Sequence, residues 1–122
     1  MTQPLALLLY EKLLPGTQLV NRLQDLGWRV QTLHDAAELG RTAEEQKPVI
    51  VVADLSATRT PVDEAIRSLR QNPATSHLPI VAFGSDELLH RKAAEAGATL
   101  VASDTAILQH LNQFIDQALT NF

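Results

Sequence analysis

Two kinds of apolar pattern alternate along this chain. Short apolar runs at Leu5 to Tyr10, Pro48 to Ala53, Leu78 to Phe83 and Ala98 to Ala102, and the alternating, edge-like stretch Trp28 to Leu33, predict five strands. Between them, apolar residues recur every three or four positions, which predicts helices. The first carries Leu19, Val20, Leu23 and Leu26, with Pro15 or Thr17 at its start and Gly27 as its stop. Asp35 and Glu38 have capping-box spacing and open a short helix to about Gln46. Thr60-Pro61 reads as an N-cap followed by proline, ahead of Val62, Ala65, Ile66 and Leu69, and Asn72-Pro73 ends that helix. Gly84-Ser85-Asp86-Glu87 turns into a helix with Leu89, Ala93 and Ala96 inside and Gly97 as its stop. Ser103 or Asp104 caps one final helix with a wide stripe, made of Ile107, Leu111, Phe114 and Ala118 together with Leu108, Ile115 and Leu119.

Strands alternating with helices through short connections imply an α/β fold, with a parallel sheet covered on both faces and right-handed crossovers. No repeat, low-complexity tract or linker interrupts the order, so residues 1–122 read as one domain. The third strand is the centre of the pattern. Its β-branched run suits a strand buried on both faces, and it ends on a carboxylate, Asp54. That end of an open parallel sheet is where such folds keep their ligand crevice.

Composition removes several functions. A hydrophobic content of 45% with 20% charged residues argues for a folded core rather than disorder. A net charge of −4 argues against nucleic-acid binding, which relies on Lys and Arg to neutralise phosphates. With no cysteine, disulfides and iron–sulfur sites are excluded, and a cytoplasmic location is expected. The start of the chain lacks a charged signal region, and Pro4 to Leu9 is too short to span a membrane. His34, His77, His90 and His110 show no metal-ligand spacing, and His90 and His110 are expected to be solvated on helices. No glycine-rich phosphate loop or nucleophile elbow is present, so no enzymatic activity is expected. The arginines read as ordinary helix surface.

Three short segments carry a resemblance. Leu23-Gln24-Asp25-Leu26-Gly27-Trp28, Ser76-His77-Leu78-Pro79-Ile80-Val81 and Glu95-Ala96-Gly97-Ala98 resemble the end of helix one and the approaches to strands four and five in response-regulator receiver domains. The resemblance covers essentially the whole chain. It implies a flavodoxin-like (βα)5 three-layer sandwich with strand order 2-1-3-4-5. It also places Asp54 at the phosphoacceptor position. In that family two adjacent acids after strand one help hold Mg²⁺, a Ser or Thr follows strand four, and a Lys follows strand five. An aromatic on strand five reports phosphorylation.

This chain departs from the pattern at most of those positions. Tyr10-Glu11 replaces the acid pair, Gly84 holds the hydroxyl position beside Ser85, Asp104 stands where lysine is expected, and Val101 replaces the aromatic. Ala57-Thr58 replaces the usual Met-Pro, and the loop after strand four is short. No Lys or Arg lies anywhere after Lys92. Replacing a cation by an anion turns attraction for phosphate into repulsion. Each unit pair is worth about 4 kcal/mol at ~4 Å and an effective dielectric near 20.

The resemblance therefore implies a receiver-like module with a degenerate phosphorylation site, acting on another signalling protein or on a second copy of itself. No cofactor, membrane or nucleic acid is expected. The alternative is a divergent but active receiver that takes a phosphoryl group on Asp54 from a histidine kinase, with Mg²⁺ on Glu11 and Asp54. Asp104 is either a helix cap or a third carboxylate of a cation site. Tyr10 either occludes the crevice or packs its ring. The wide final stripe is either core alone or an interaction face built on Leu108, Ile115 and Leu119.

Overall fold

The computed structural model describes residues 3–57 and 60–120. Thr58, named above beside Ala57, lies outside the described residues. Five strands, β1 (Leu5–Leu9), β2 (Arg29–Leu33), β3 (Ile50–Asp54), β4 (Ile80–Phe83) and β5 (Leu100–Ala102), form one parallel sheet in the order β2-β1-β3-β4-β5. The helices are α1 (Leu13–Asp25), α2 (Leu39–Gln46), α3 (Val62–Gln71), α4 (Glu87–Ala96), α5 (Asp104–Gln109) and α6 (Leu111–Thr120), with a 3₁₀ turn at Ala36–Glu38 before α2. This is the layered flavodoxin-like architecture with the expected strand order.

Strand periodicity divides the core. Leu7, Leu9, Val51, Ala53, Ile80 and Ala82 pack with α2, α3 and α4, whereas Ala6, Leu8, Ile50, Val52, Val81 and Phe83 pack with α1, α5 and α6. β3 is buried along its whole length, as its uninterrupted apolar sequence requires. Gly27 and Gly97 close α1 and α4 with φ of 93° and 116°, conformations that residues with a Cβ rarely adopt. Asp86 caps α4 by accepting the amides of Leu88 and Leu89 at 2.8 and 3.4 Å.

Three details differ from the sequence reading. Thr60 does not cap α3. Its hydroxyl donates to Asp35 Oδ1 at 2.9 Å instead, and Pro61 holds the cap position. The final helix is kinked at His110 (φ −127°, ψ 30°), so it forms two segments that bury Ile107 and Leu111 on either side of the bend. Arg70 is also not ordinary surface. It reaches from α3 to the carbonyls of Gly97, Ser76 and Leu78 and to the Thr99 hydroxyl.

Candidate functional site

Asp54 ends β3 opposite Phe83 of β4 and is 2% exposed. The next amide, that of Leu55, donates to the Phe83 carbonyl at 2.8 Å and ties the two strand ends together. Asp54 Oδ1 accepts both the Ser56 amide at 2.9 Å and the Ser56 hydroxyl at 2.6 Å. A carboxylate doubly engaged by the residue two places on forms a local turn that stabilises its charge without a cation. Ser56 had no special place in the sequence reading; an Asp-x-Ser step was the signal available.

Tyr10 follows β1 and lies on the same side of the sheet as Val52 and Phe83. Its ring is buried and stands edge-on to His34, with centroids 4.9 Å apart. His34 Nδ1 donates to the Tyr10 carbonyl at 2.8 Å. A Cβ added at Gly16 would fall within the Tyr10 ring, so the ring occupies the space over the start of α1. Of the sequence alternatives for Tyr10, the packing one is realised. Glu11 beside it is half-buried.

Gly84 is fixed from three sides. Its amide donates to the Ala102 carbonyl at 3.0 Å, and its carbonyl accepts from His90 Nε2 at 2.6 Å. Its Cα lies so close to Leu55 that an added Cβ would sit 3.3 Å from the Leu55 Cβ. Since a carbonyl only accepts, Nε2 carries a proton. The sequence reading had His90 solvated; it is half-buried and closes the β4–α4 loop instead, while Ser85 is exposed. His90→Ala is expected to raise amide exchange at Ser85, Glu87 and Leu88 and to lower stability by about 1 kcal/mol. Hydrogen–deuterium exchange with a thermal melt checks it, and unchanged exchange would refute the latch.

At the end of β5, Ser103 is the cap of α5, accepting the Ala106 amide at 3.0 Å, and Asp104 is the first helical residue. Of the two residues that the sequence offers as the cap of this helix, Ser103 takes the position and Asp104 does not. Among the described residues, no three carboxylates or histidines approach closely enough to hold a metal ion, so Glu11, Asp54 and Asp104 do not form a three-carboxylate site. Lys92, on α4, lines a groove of about 260 Å³ together with Ser56, Asp63 and Leu89.

In the final stripe Ile115 is 2% exposed and belongs to the core, while Leu108 and Leu119 are partly buried against that core. The reason is geometric: the kink at His110 turns both segments so that the wide stripe wraps onto one side of the sheet.

The shape of the chain is shared with solved structures. A protein from Chloroflexus aurantiacus assigned as a response regulator superposes with a TM-score of 0.89 at 19% identity, covering 98% of this chain and 99% of that one. The receiver domain of a sensor histidine kinase from Pseudomonas aeruginosa, solved with a magnesium ion in its active-site cleft, gives 0.87 at 20% identity, covering 98% and 99%. A two-component response regulator of the LuxR family from Aurantimonas gives 0.83 at 25% identity, covering 98% and 86%. This is the receiver-domain fold. No family model matches the chain, and no curated protein matches it.

Asp54, Tyr10, Glu11, Gly84, Ser85 and Asp104 all lie on the loops or strand ends at the C-terminal edge of the sheet. Val101, on β5, is partly buried against the α3 and α4 side. Among the described residues no helix is long and apolar enough to cross a membrane.

Proposed function

We propose that this chain is a receiver-like signalling module that works through protein–protein contact and does not depend on phosphorylation. The observation that carries the reading is the charge at the phosphoacceptor crevice. The chain after Lys92 contains no Lys or Arg, and Asp104 opens the helix after β5. An added phosphoryl group would lack a cation from that side and would face a carboxylate there. Two further features support the reading. Asp54 Oδ1 is already committed to Ser56, and Gly84 has no hydroxyl to close over a phosphoryl group.

Mg²⁺ is the ion that the fold family implies, and it needs a near-octahedral set of hard oxygens. The donors here do not fit it well. One carboxylate of the family's acid pair is a buried phenol ring packed on Gly16, and one oxygen of Asp54 is occupied by two hydrogen bonds.

The second reading, an active receiver accepting phosphate on Asp54, is favoured by Lys92. It lines the groove that Ser56 also lines, and a cation brought there could partly replace the missing one. One experiment decides between them. The protein is incubated with Mg²⁺ and acetyl phosphate, and intact mass is measured beside Asp54→Asn. No adduct is expected in either protein. A metal-dependent adduct on the wild type that vanishes in Asp54→Asn would establish the second reading.

A further inference from the structure

β2 stands at one edge of the sheet and pairs with β1 alone. The Arg29 amide donates to the Pro4 carbonyl at 2.8 Å, and the Leu33 carbonyl accepts the Tyr10 amide at 2.9 Å. Backbone groups of successive residues point to opposite edges of a strand. Arg29, Gln31 and Leu33 therefore turn theirs to β1, and the N–H and C=O groups of Val30 and Thr32 point out of the sheet. Natural edge strands are commonly guarded by lysine, proline or a bulge. β2 has none of these: it reads Arg29-Val30-Gln31-Thr32-Leu33, and all five residues keep register with β1.

Charge identifies the occupant. On a chain of net charge −4, two copies meet best through a patch free of carboxylates. The hollow of about 760 Å³ along this edge is such a patch. Gln3, Gln24, Trp28, Gln31 and Thr32 line it with Arg29, and among the described residues no carboxylate does. The helices on either face carry both signs, Arg22 with Asp25 on α1 and Arg41 with Glu44 and Glu45 on α2, and Asp35 and Glu38 lie past the strand's end.

The strand is also complementary to itself. About a two-fold axis at Gln31, Val30 stands opposite Thr32 of a second copy, and Thr32 opposite its Val30. These are the hydrogen-bonded pairs of an antiparallel ladder, so every outward N–H meets a carbonyl, and Gln31 faces its own copy as the close pair between them. The two Arg29 side chains are then four residues apart, roughly 13 Å along the strand, beyond the screening length of about 8 Å at physiological salt.

We infer that the β2 edge is the docking surface for a second copy of this chain, joined antiparallel so that the two five-stranded sheets run on as one. This names one partner for the proposed module and does not rest on the state of Asp54.

Sedimentation velocity of the whole chain from about 10 μM to about 1 mM should show a monomer–dimer exchange, weak as small interfaces are. Gln31→Glu and Gln31→Lys each place like charges in the central pair and should each raise the dimer dissociation constant by about 10-fold or more. An equimolar mixture of the two variants should dimerise again, less so as salt rises. A purely structural role for Gln31 would not produce that recovery. In the wild type itself, amide exchange at Val30 and Thr32, read by NMR, should slow as concentration rises, because water is the partner of these groups in the monomer. A wild type that stays monomeric at the top concentration would overturn the inference, as would exchange at Val30 and Thr32 that is indifferent to concentration. So would a dimer that both variants leave intact, which would place the contact elsewhere, or a mixture no more associated than its components. An adduct on Asp54 in the acetyl phosphate experiment would end the phosphorylation-independent reading and leave this contact untouched.

Discussion

Arg70→Ala should lower the unfolding free energy by about 3 kcal/mol, with the loss concentrated where α3 meets the starts of β4 and β5. The guanidinium donates to the carbonyls of Gly97 at 2.8 Å, Ser76 at 3.0 Å and Leu78 at 2.6 Å, and to the Thr99 hydroxyl at 3.3 Å. Thr99 in turn accepts the Ile80 amide at 3.0 Å, so the network reaches the first residue of β4. Charge-assisted hydrogen bonds contribute roughly 1.5–3 kcal/mol each, yet their sum would overstate the net effect. Desolvation works against them: burial pulls the Arg70 pKa below its ordinary value, which means the site disfavours the charge it uses. The Ser76 bond is also exposed and counts for less. Alanine removes the donors and leaves partly buried carbonyls unsatisfied, which keeps the expected loss near 3 kcal/mol. Lysine should recover less than half of it, because a single ammonium lacks the planar fork that reaches several carbonyls. Urea denaturation of Arg70→Ala and Arg70→Lys measures both. A loss under about 1 kcal/mol for alanine would show the clamp to be incidental.

Arg70 also marks the boundary of what could be read from sequence. Features written in a local pattern were legible. The unbroken run through β3 and the stop glycines Gly27 and Gly97 each depend on residues a few positions apart, and each is found as expected. The strand order followed from the resemblance and from the rules of parallel sheets, and it too is found. Features made by distant residues were not legible. Thr60 has the spacing of a cap, but Asp35, 25 positions away, takes its hydroxyl. His90 looks like helix surface until the β4–α4 loop folds back to bring the Gly84 carbonyl to its ring. The kink at His110 has no glycine or proline to announce it, and without the kink a stripe seven residues wide looks too broad for one core. The site shows the same division. Asp54 is placed by its strand, whereas the hydrogen bonds that occupy it and the burial of Tyr10 depend on how the loops settle around it.

The burial of Tyr10 leads to a second large effect, one that runs against intuition. Tyr10→Asp rebuilds the acid pair that the receiver fold usually carries, with Glu11 as its neighbour. The substitution should nevertheless cost about 4 kcal/mol of stability and give no gain in Mg²⁺ affinity. The ring belongs to the core on the α1 side, packs over Gly16 and meets the edge of His34. Replacing a buried aromatic by a small residue usually costs about 3–5 kcal/mol, because the surroundings collapse only partly into the space. Aspartate then adds a carboxylate to an apolar cluster that also holds Leu8, Leu19 and Val52. Gly16 does not fill the gap, because it has no side chain to move. Tyr10→Phe separates the two causes. It keeps the ring and should stay within about 1 kcal/mol of the wild type, as conservative core exchanges do. Chemical denaturation of the three proteins, followed by calorimetric titration with Mg²⁺, tests both halves. If Tyr10→Asp were as stable as the wild type and bound Mg²⁺, the ring would be a removable cover over an intact metal site, and the case for a phosphorylation-independent module would lose one of its supports.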